Sequence, residues 1–230
     1  MKRGGRSGRS VEPRWQTSSK KGMSSHQMHR MLGVTYKTAW FMTHRLREAM
    51  ADGFAGLLGA NGGTVEVDET YIGLREGLTP EDAVRGGHHK NTVVSLVERG
   101  REVRSFHVDR ANSATVIALM MENIDPSARI MTDESAIYGP TENFFASHES
   151  VRHMYPYREF SRGSVHTNTI EGFFSIFKRG MKGVYHHCDA AHLSRYVAEF
   201  DFRYNRRDVS DTERTEDALR GITGKRLYYC

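Results

Sequence analysis

TVEVDETYI, residues 64–72, alternates apolar and polar side chains in a run rich in β-formers. A period of two puts Val65 and Val67 on one face of a strand and Glu66, Asp68 and Thr70 on the other. Working outward, NTVVSLVE (91–98) and EVRSFHV (102–108) flank Arg99-Gly100-Arg101 and predict a hairpin. SATVIALMMENI (113–124) predicts a capped apolar helix that ends before Asp125-Pro126. ARIMT (128–132) predicts a short buried strand running into Asp133, followed by a helix from near Ser135 and a last strand over 150–154. Two more helices are expected at about 167–180 and 190–205. Three strands, a helix, a strand, a helix, a strand and closing helices is the order of an RNase H-like fold. The expected fold class is therefore α/β, a mixed sheet flanked by helices, over residues 64–207. Residues 73–90 show neither period and read as a polar loop, and 208–230 as a C-terminal tail.

Upstream, residues 51–63 read as a linker, and 23–50 as a small helical module. Ser24 or Ser25 caps a first helix that Gly33 ends, and Thr35 caps a second. The pair predicts a helix-turn-helix whose second helix enters a major groove. Its apolar face is expected to be Ala39, Trp40, Met42, Leu46, Ala49 and Met50. Lys37, Thr38, His44, Arg45 and Arg47 then lie off that face, and Lys37, Thr38 and Arg45 are candidate DNA contacts. Arg179 and Lys182, near the end of the 167–180 helix, join them. A plain packing pair of helices fits the same pattern. Residues 1–22 are rich in Gly, Ser and Arg and predict a disordered basic tail.

Charge supports a nucleic-acid partner once it is located along the chain. Residues 1–50 hold eleven Lys and Arg against two acids, a balance of +9, and the rest of the 230 residues hold 22 against 26, or −4. Clustered positive charge is rewarded at a phosphate backbone by counterion release. No apolar run is long enough for a bilayer, and the basic N-terminus lacks the apolar stretch of a secretory signal. Cys188 and Cys230 are too few for a zinc site or a disulfide framework. These features predict a cytoplasmic, nucleoid-associated protein with free thiols.

Three acids carry the chemical signal. Asp68 lies mid-strand, Asp133 follows an apolar strand at its carboxyl end, and Glu171 opens a helix in HTNTIEGFFSIFKRG. Singly each has an ordinary reading: a polar strand face, a helix cap or turn, and a first-turn acid suited to the helix dipole. Together, Asp, Asp and Glu separated by 64 and then 37 residues match the spacing of a DDE triad. Two divalent ions need such a gathering of hard oxygen ligands. Lys178, seven residues beyond Glu171, falls on the same helix face, where it can hold a phosphate or stand solvated.

On VEVDETYIG, TDESAIYG, HTNTIEGFFSIFKRGMKGVYHH and HLSRYVAEFDFRYNRR, the chain resembles the insertion-sequence transposases of the IS1595 family, relatives of the Merlin transposases. The resemblance covers about residues 23–207. It implies an RNase H-like DDE transposase using magnesium or manganese, with element ends and target DNA as partners and a dimer or larger assembly that joins two ends. It implies Asp68, Asp133 and Glu171 as metal ligands and Lys178 as the accompanying basic catalytic residue. Some relatives carry Asn at the last position, and Asn168 lies one helical turn before Glu171. Glu171 is preferred because only a carboxylate neutralises metal charge, leaving His166 and Asn168 as groups that orient it. Family members carry an N-terminal cysteine-rich zinc module, which predicts a front-truncated chain here. An RNase H-like nuclease without strand transfer and an inactive DNA-binding relic are the alternative readings.

Overall fold

The computed structural model describes residues 21–51, 55–79, 81, 89–152 and 161–225. Residues 1–20 of the expected basic tail and the end of the strand predicted over 150–154 lie outside them. The strand-forming stretches build one five-stranded sheet: β1 (Thr64–Ile72), β2 (Asn91–Glu98), β3 (Val103–Val108), β4 (Arg129–Asp133) and β5 (Ser147–Val151). Their order is β3-β2-β1-β4-β5. The hairpin makes β1, β2 and β3 antiparallel, while β4 and β5 run parallel to β1, so the sheet is mixed.

Alternation along the strands separates two apolar cores. On one face Val65, Val67, Val94 and Leu96 pack with Val116, Ile117 and Met120 of α3 (Ser113–Asn123). The stretch expected as a linker joins this core: Leu58 is fully buried and bonded to the backbone at Asn123 and Asp125. On the other face Val93, Val97 and Val103 meet Ile170, Phe173, Phe174 and Phe177 of α4 (Asn168–Gly180), along with α5 (Ala190–Asn205). Gly180 is where the two helices close together, since a Cβ there would lie 2.3 Å from the Phe200 ring.

Helix α5 also covers the open edge of the sheet. Asp201 accepts hydrogen bonds from the Ser105 amide and hydroxyl, both at 2.7 Å, and Asn205 bonds the Val103 amide and carbonyl. Satisfying edge-strand backbone groups in this way removes a template for further strand pairing. Burial pushes the Asp201 carboxyl up to about 7.

The N-terminal helices form as their caps dictate. In α1 (Ser25–Leu32) Ser24 and Gln27 make a capping box, and Gly33 takes the left-handed conformation (φ 66°) that ends it. In α2 (Tyr36–Met50) the Thr35 side chain accepts from the Thr38 amide. The buried stripe of α2 differs from the expected one. It runs through Ala39, Thr43, His44, Arg47, Ala49 and Met50, while Trp40, Met42 and Leu46 are only half-buried. This stripe packs against α5 and α6 (Asp211–Arg220).

His44 and Arg47, read from sequence as free of the apolar face, are fully buried. The Arg47 guanidinium lies 4.0 Å over the Tyr196 ring and bonds Glu199 at 2.7 Å. Burial, then the positive charges of Arg47, His192 and Arg195, depress His44 to about 3 and keep it neutral. Arg203 of α5 is buried against the same Glu199 at 2.6 Å. His192 packs edge-on against Trp40 and His44.

Three local expectations are corrected. The helix expected near Ser135 is a 3-10 segment, Ala136–Asn143, with Pro140 inside it; proline removes the amide an α-helix needs. The last strand begins three residues earlier than read. The stretch beyond 207 is not a bare tail, because α6 forms on a capping box of Ser210 and Glu213.

Candidate active site

Glu66 and Asp68 project from the same face of β1, toward α4. Glu66 is fully buried and fixes the start of that helix. It accepts from the Ile170 amide and the Thr169 hydroxyl, each at 2.9 Å, which places negative charge where the helix dipole favours it. Arg99 donates to it at 2.6 Å and also to the carbonyls of Ser164 and His166, at 2.7 Å each. His166 Nδ1 lies 3.2 Å from the same carboxylate. Glu171 is one residue past the anchored Ile170, and Asp68 two residues past Glu66. A single ion-paired cluster therefore sets the β1 acid and the helix acid relative to each other.

Asp133 reaches the same region through the sheet. The parallel pairing of Glu66 with Met131, continued two residues, brings Asp68 level with Asp133. Asp133 also accepts from the Ser135 amide at 3.0 Å, which holds its side chain at the strand end. The electrostatics register the meeting. Burial first, then the charges of Glu69, Asp133 and Glu171, push the Asp68 carboxyl from 3.8 up to about 8, against a lowering hydrogen bond from the Glu69 amide.

Glu69, on the opposite face, accepts from the buried Tyr138 hydroxyl at 2.7 Å. Burial raises its carboxyl, as does the charge of Asp133, although the Tyr138 bond opposes this. Burial and the same acids push the Tyr138 hydroxyl well up. Asp68, Glu69 and Asp133 are half-buried, whereas Glu171 is exposed and accepts from Thr167 at 3.1 Å. Among the described residues, no three His, Cys, Asp or Glu side chains are gathered tightly enough to hold an ion as they stand.

The other predicted residues are distributed around this centre. Asn168 is the exposed first residue of α4, and His166 belongs to the Glu66 cluster. Lys178 is half-buried two turns along α4, and exposed Arg179 bonds the Ser175 carbonyl. Lys182 is exposed on the π-type turn Met181–Tyr185 that follows. Lys37, Thr38 and Arg45 stay on α2, with Lys37 and Thr38 exposed and the Thr38 hydroxyl bonded to Thr35.

Sequence reasoning missed Glu66, Glu69, Arg99 and Tyr138. The available signal was a strand carrying three acids, Glu66, Asp68 and Glu69, in otherwise apolar surroundings.

No helix among the described residues is long and apolar enough to cross a membrane. No curated protein matches the chain. Residues 60–205, which include β1 to β5, α4 and α5, match the ISXO2-like transposase domain. On that match the chain belongs to the IS1595 family of transposases.

Proposed function

We propose that this protein is a DDE-type DNA transposase with an RNase H-like catalytic domain, in which Asp68, Asp133 and Glu171 hold two magnesium or manganese ions. The observation that carries this reading is geometric: β4 pairs in parallel with β1, and Glu66 anchors the start of α4 beside the same strand. The Asp68 carboxyl, raised to about 8 by burial beside the charges of Glu69, Asp133 and Glu171, agrees with it. Perturbed acids of this kind mark functional sites more often than structural ones, because a fold gains nothing from their repulsion. The donor set also fits: carboxylate oxygens suit hard divalent ions, and three of them against two ions leave a net positive charge for a DNA phosphate. When bound, such ions activate the attacking oxygen and stabilise the leaving one.

The chain's own residues supply the rest. Glu66 and Arg99 keep α4 in register with β1, and the exposed Glu171 swings from Thr167 toward Asp68 to complete the set. Lys178 steadies a phosphate along the same helix face. Hydrolysis at the end of the insertion element frees a 3′-hydroxyl, which then attacks target DNA, and joining two ends calls for a dimer or larger assembly. Helices α1 and α2 act as a helix-turn-helix whose exposed Lys37 and Thr38 and half-buried Arg45 meet DNA, with Arg179 and Lys182 contacting the strand near the carboxylates. The protein works in the bacterial cytoplasm, on the nucleoid.

The test sets Glu171 against Asn168 in manganese-supported nicking of a duplex bearing candidate element ends. Glu171→Gln is expected to lose roughly a hundredfold or more, as for removal of a strong electrostatic group. Asn168→Ala should lose less, by misplacing its neighbour. A larger loss at Asn168 reverses the assignment. A parent protein that nicks but never joins strands is a nuclease, and one that binds DNA without nicking is a relic.

A further inference from the structure

A cavity of about 470 Å³ lies between the end of β1, the start of β2 and the turn that follows α4. Tyr71, Ile72, Met181 and Leu193 give it apolar walls, and Lys90, Lys182 and His186 bring basic groups; among the described residues no carboxylate lines it. His89 also lines it, only 7 % exposed, and its Nδ1 has no hydrogen-bond partner among the described residues. A buried ring nitrogen left unpaired costs free energy that a ligand aimed at it recovers.

The backbone around the cavity is shaped for it as well. After α4 the chain forms a π-type turn, and His186 adopts φ 60°, ψ −49° inside a three-residue turn closed by the His187 amide on the Tyr185 carbonyl at 2.7 Å. Such turns are rare and strained, and π-type turns recur at functional sites. The cavity adjoins the acids, because the wall residue Tyr71 follows Glu69 by two residues on β1 and feels the charges of Glu69, Asp68 and Asp133.

We infer that this cavity takes one unpaired nucleotide of the DNA strand next to the phosphodiester held at Asp68, Asp133 and Glu171, an inference that rests on the proposed reading of those acids. The base lies between the apolar walls and bonds His89 at its edge, and its phosphate meets Lys90 and Lys182. The volume suits a nucleotide, and apolar walls with few polar groups are how such pockets recognise a flat heterocycle. The basic side chains among its described lining set the pocket apart from the carboxylate centre beside it.

The test uses the full chain without metal, observing histidine ring nitrogens by NMR, with His89 identified by its loss in His89→Gln. The probes are deoxyadenosine monophosphate and thymidine monophosphate, with the two nucleosides and inorganic phosphate as separate arms. The nucleotides are expected to shift the His89 Nδ1 signal saturably, and each nucleoside or phosphate alone to bind about tenfold more weakly. Lys182→Ala, at an exposed site that leaves folding intact, should weaken nucleotide binding about tenfold by removing a charge-assisted contact. Cys188→Trp, which fills the cavity, should abolish the shift while the thermal midpoint is retained. A His89 signal unmoved by either nucleotide overturns the inference, as does inorganic phosphate binding as well as the nucleotides. Because no metal or cleavage enters this titration, its failure leaves the carboxylate reading standing. Conversely, Asp68→Asn should lose nicking and keep the nucleotide shift.

Discussion

Asp68→Asn is expected to abolish metal-supported nicking, by about a hundredfold or more, while leaving DNA affinity unchanged or higher. Affinity can rise because a negative charge facing phosphate is removed. The same substitution should stabilise the metal-free protein, and the pH dependence gives the sign. With the Asp68 carboxyl moved from 3.8 up to about 8, the folded chain keeps a proton that the unfolded chain releases. Where the native state binds more protons, stability falls as pH rises, so this group costs stability progressively from about pH 4 to about pH 8. Asparagine carries no such proton. The thermal midpoint of the variant should match the parent near pH 4 and exceed it by several degrees or more above pH 8. Magnesium or manganese should raise the parent's midpoint at pH 8 more than the variant's. Calorimetry at several pH values measures both effects, and a variant destabilised at pH 8 contradicts the assignment.

Glu199→Ala carries the largest expected stability loss. Glu199 and Arg47 are fully buried at 2.7 Å, and Arg203 and the Tyr185 hydroxyl bond the other carboxylate oxygen at 2.6 and 2.9 Å. Burial works against the charge of Glu199, but the two guanidinium groups outweigh it and hold the carboxyl low. Removing the carboxylate leaves Arg47 and Arg203 buried together without their counter-ion, at a cost of about 3–5 kcal/mol. Denaturant midpoints should drop accordingly. Replacing Arg47, Glu199 and Arg203 together with apolar residues should cost much less, because no stranded charge remains. Since this cluster joins α2 to α5, the loss in Glu199→Ala should extend to the docking of the N-terminal helices on the sheet domain.

The sheet was legible in the sequence because β1, β2 and β3 alternate or run apolar between clear turns, and Asp133 ends an apolar strand. Strand β5 was read three residues late because SHESV, at the sheet edge, has no apolar period to announce it. The buried face of α2 was misread for a different reason. His44 and Arg47 are polar by type, and what packs on them, Tyr196 and Glu199, lies about 150 residues further along the chain. No local pattern carries that partner. Glu66 was visible as a neighbour of Asp68 on the polar strand face, but its work is done on Ile170 and Thr169, a contact that exists only once α4 packs on β1. Helix α6 was legible and overlooked, since Ser210 and Glu213 spell a capping box.

The central claim is that Asp68, Asp133 and Glu171 share divalent ions, and a crystal of the full chain soaked in manganese tests it most directly through the anomalous signal. The account predicts two manganese peaks about 3.5–4 Å apart, with Asp68 bridging them and Asp133 and Glu171 each ligating one. A single ion bound away from Asp68, or no ordered manganese near these acids under conditions where the protein nicks DNA, would contradict it.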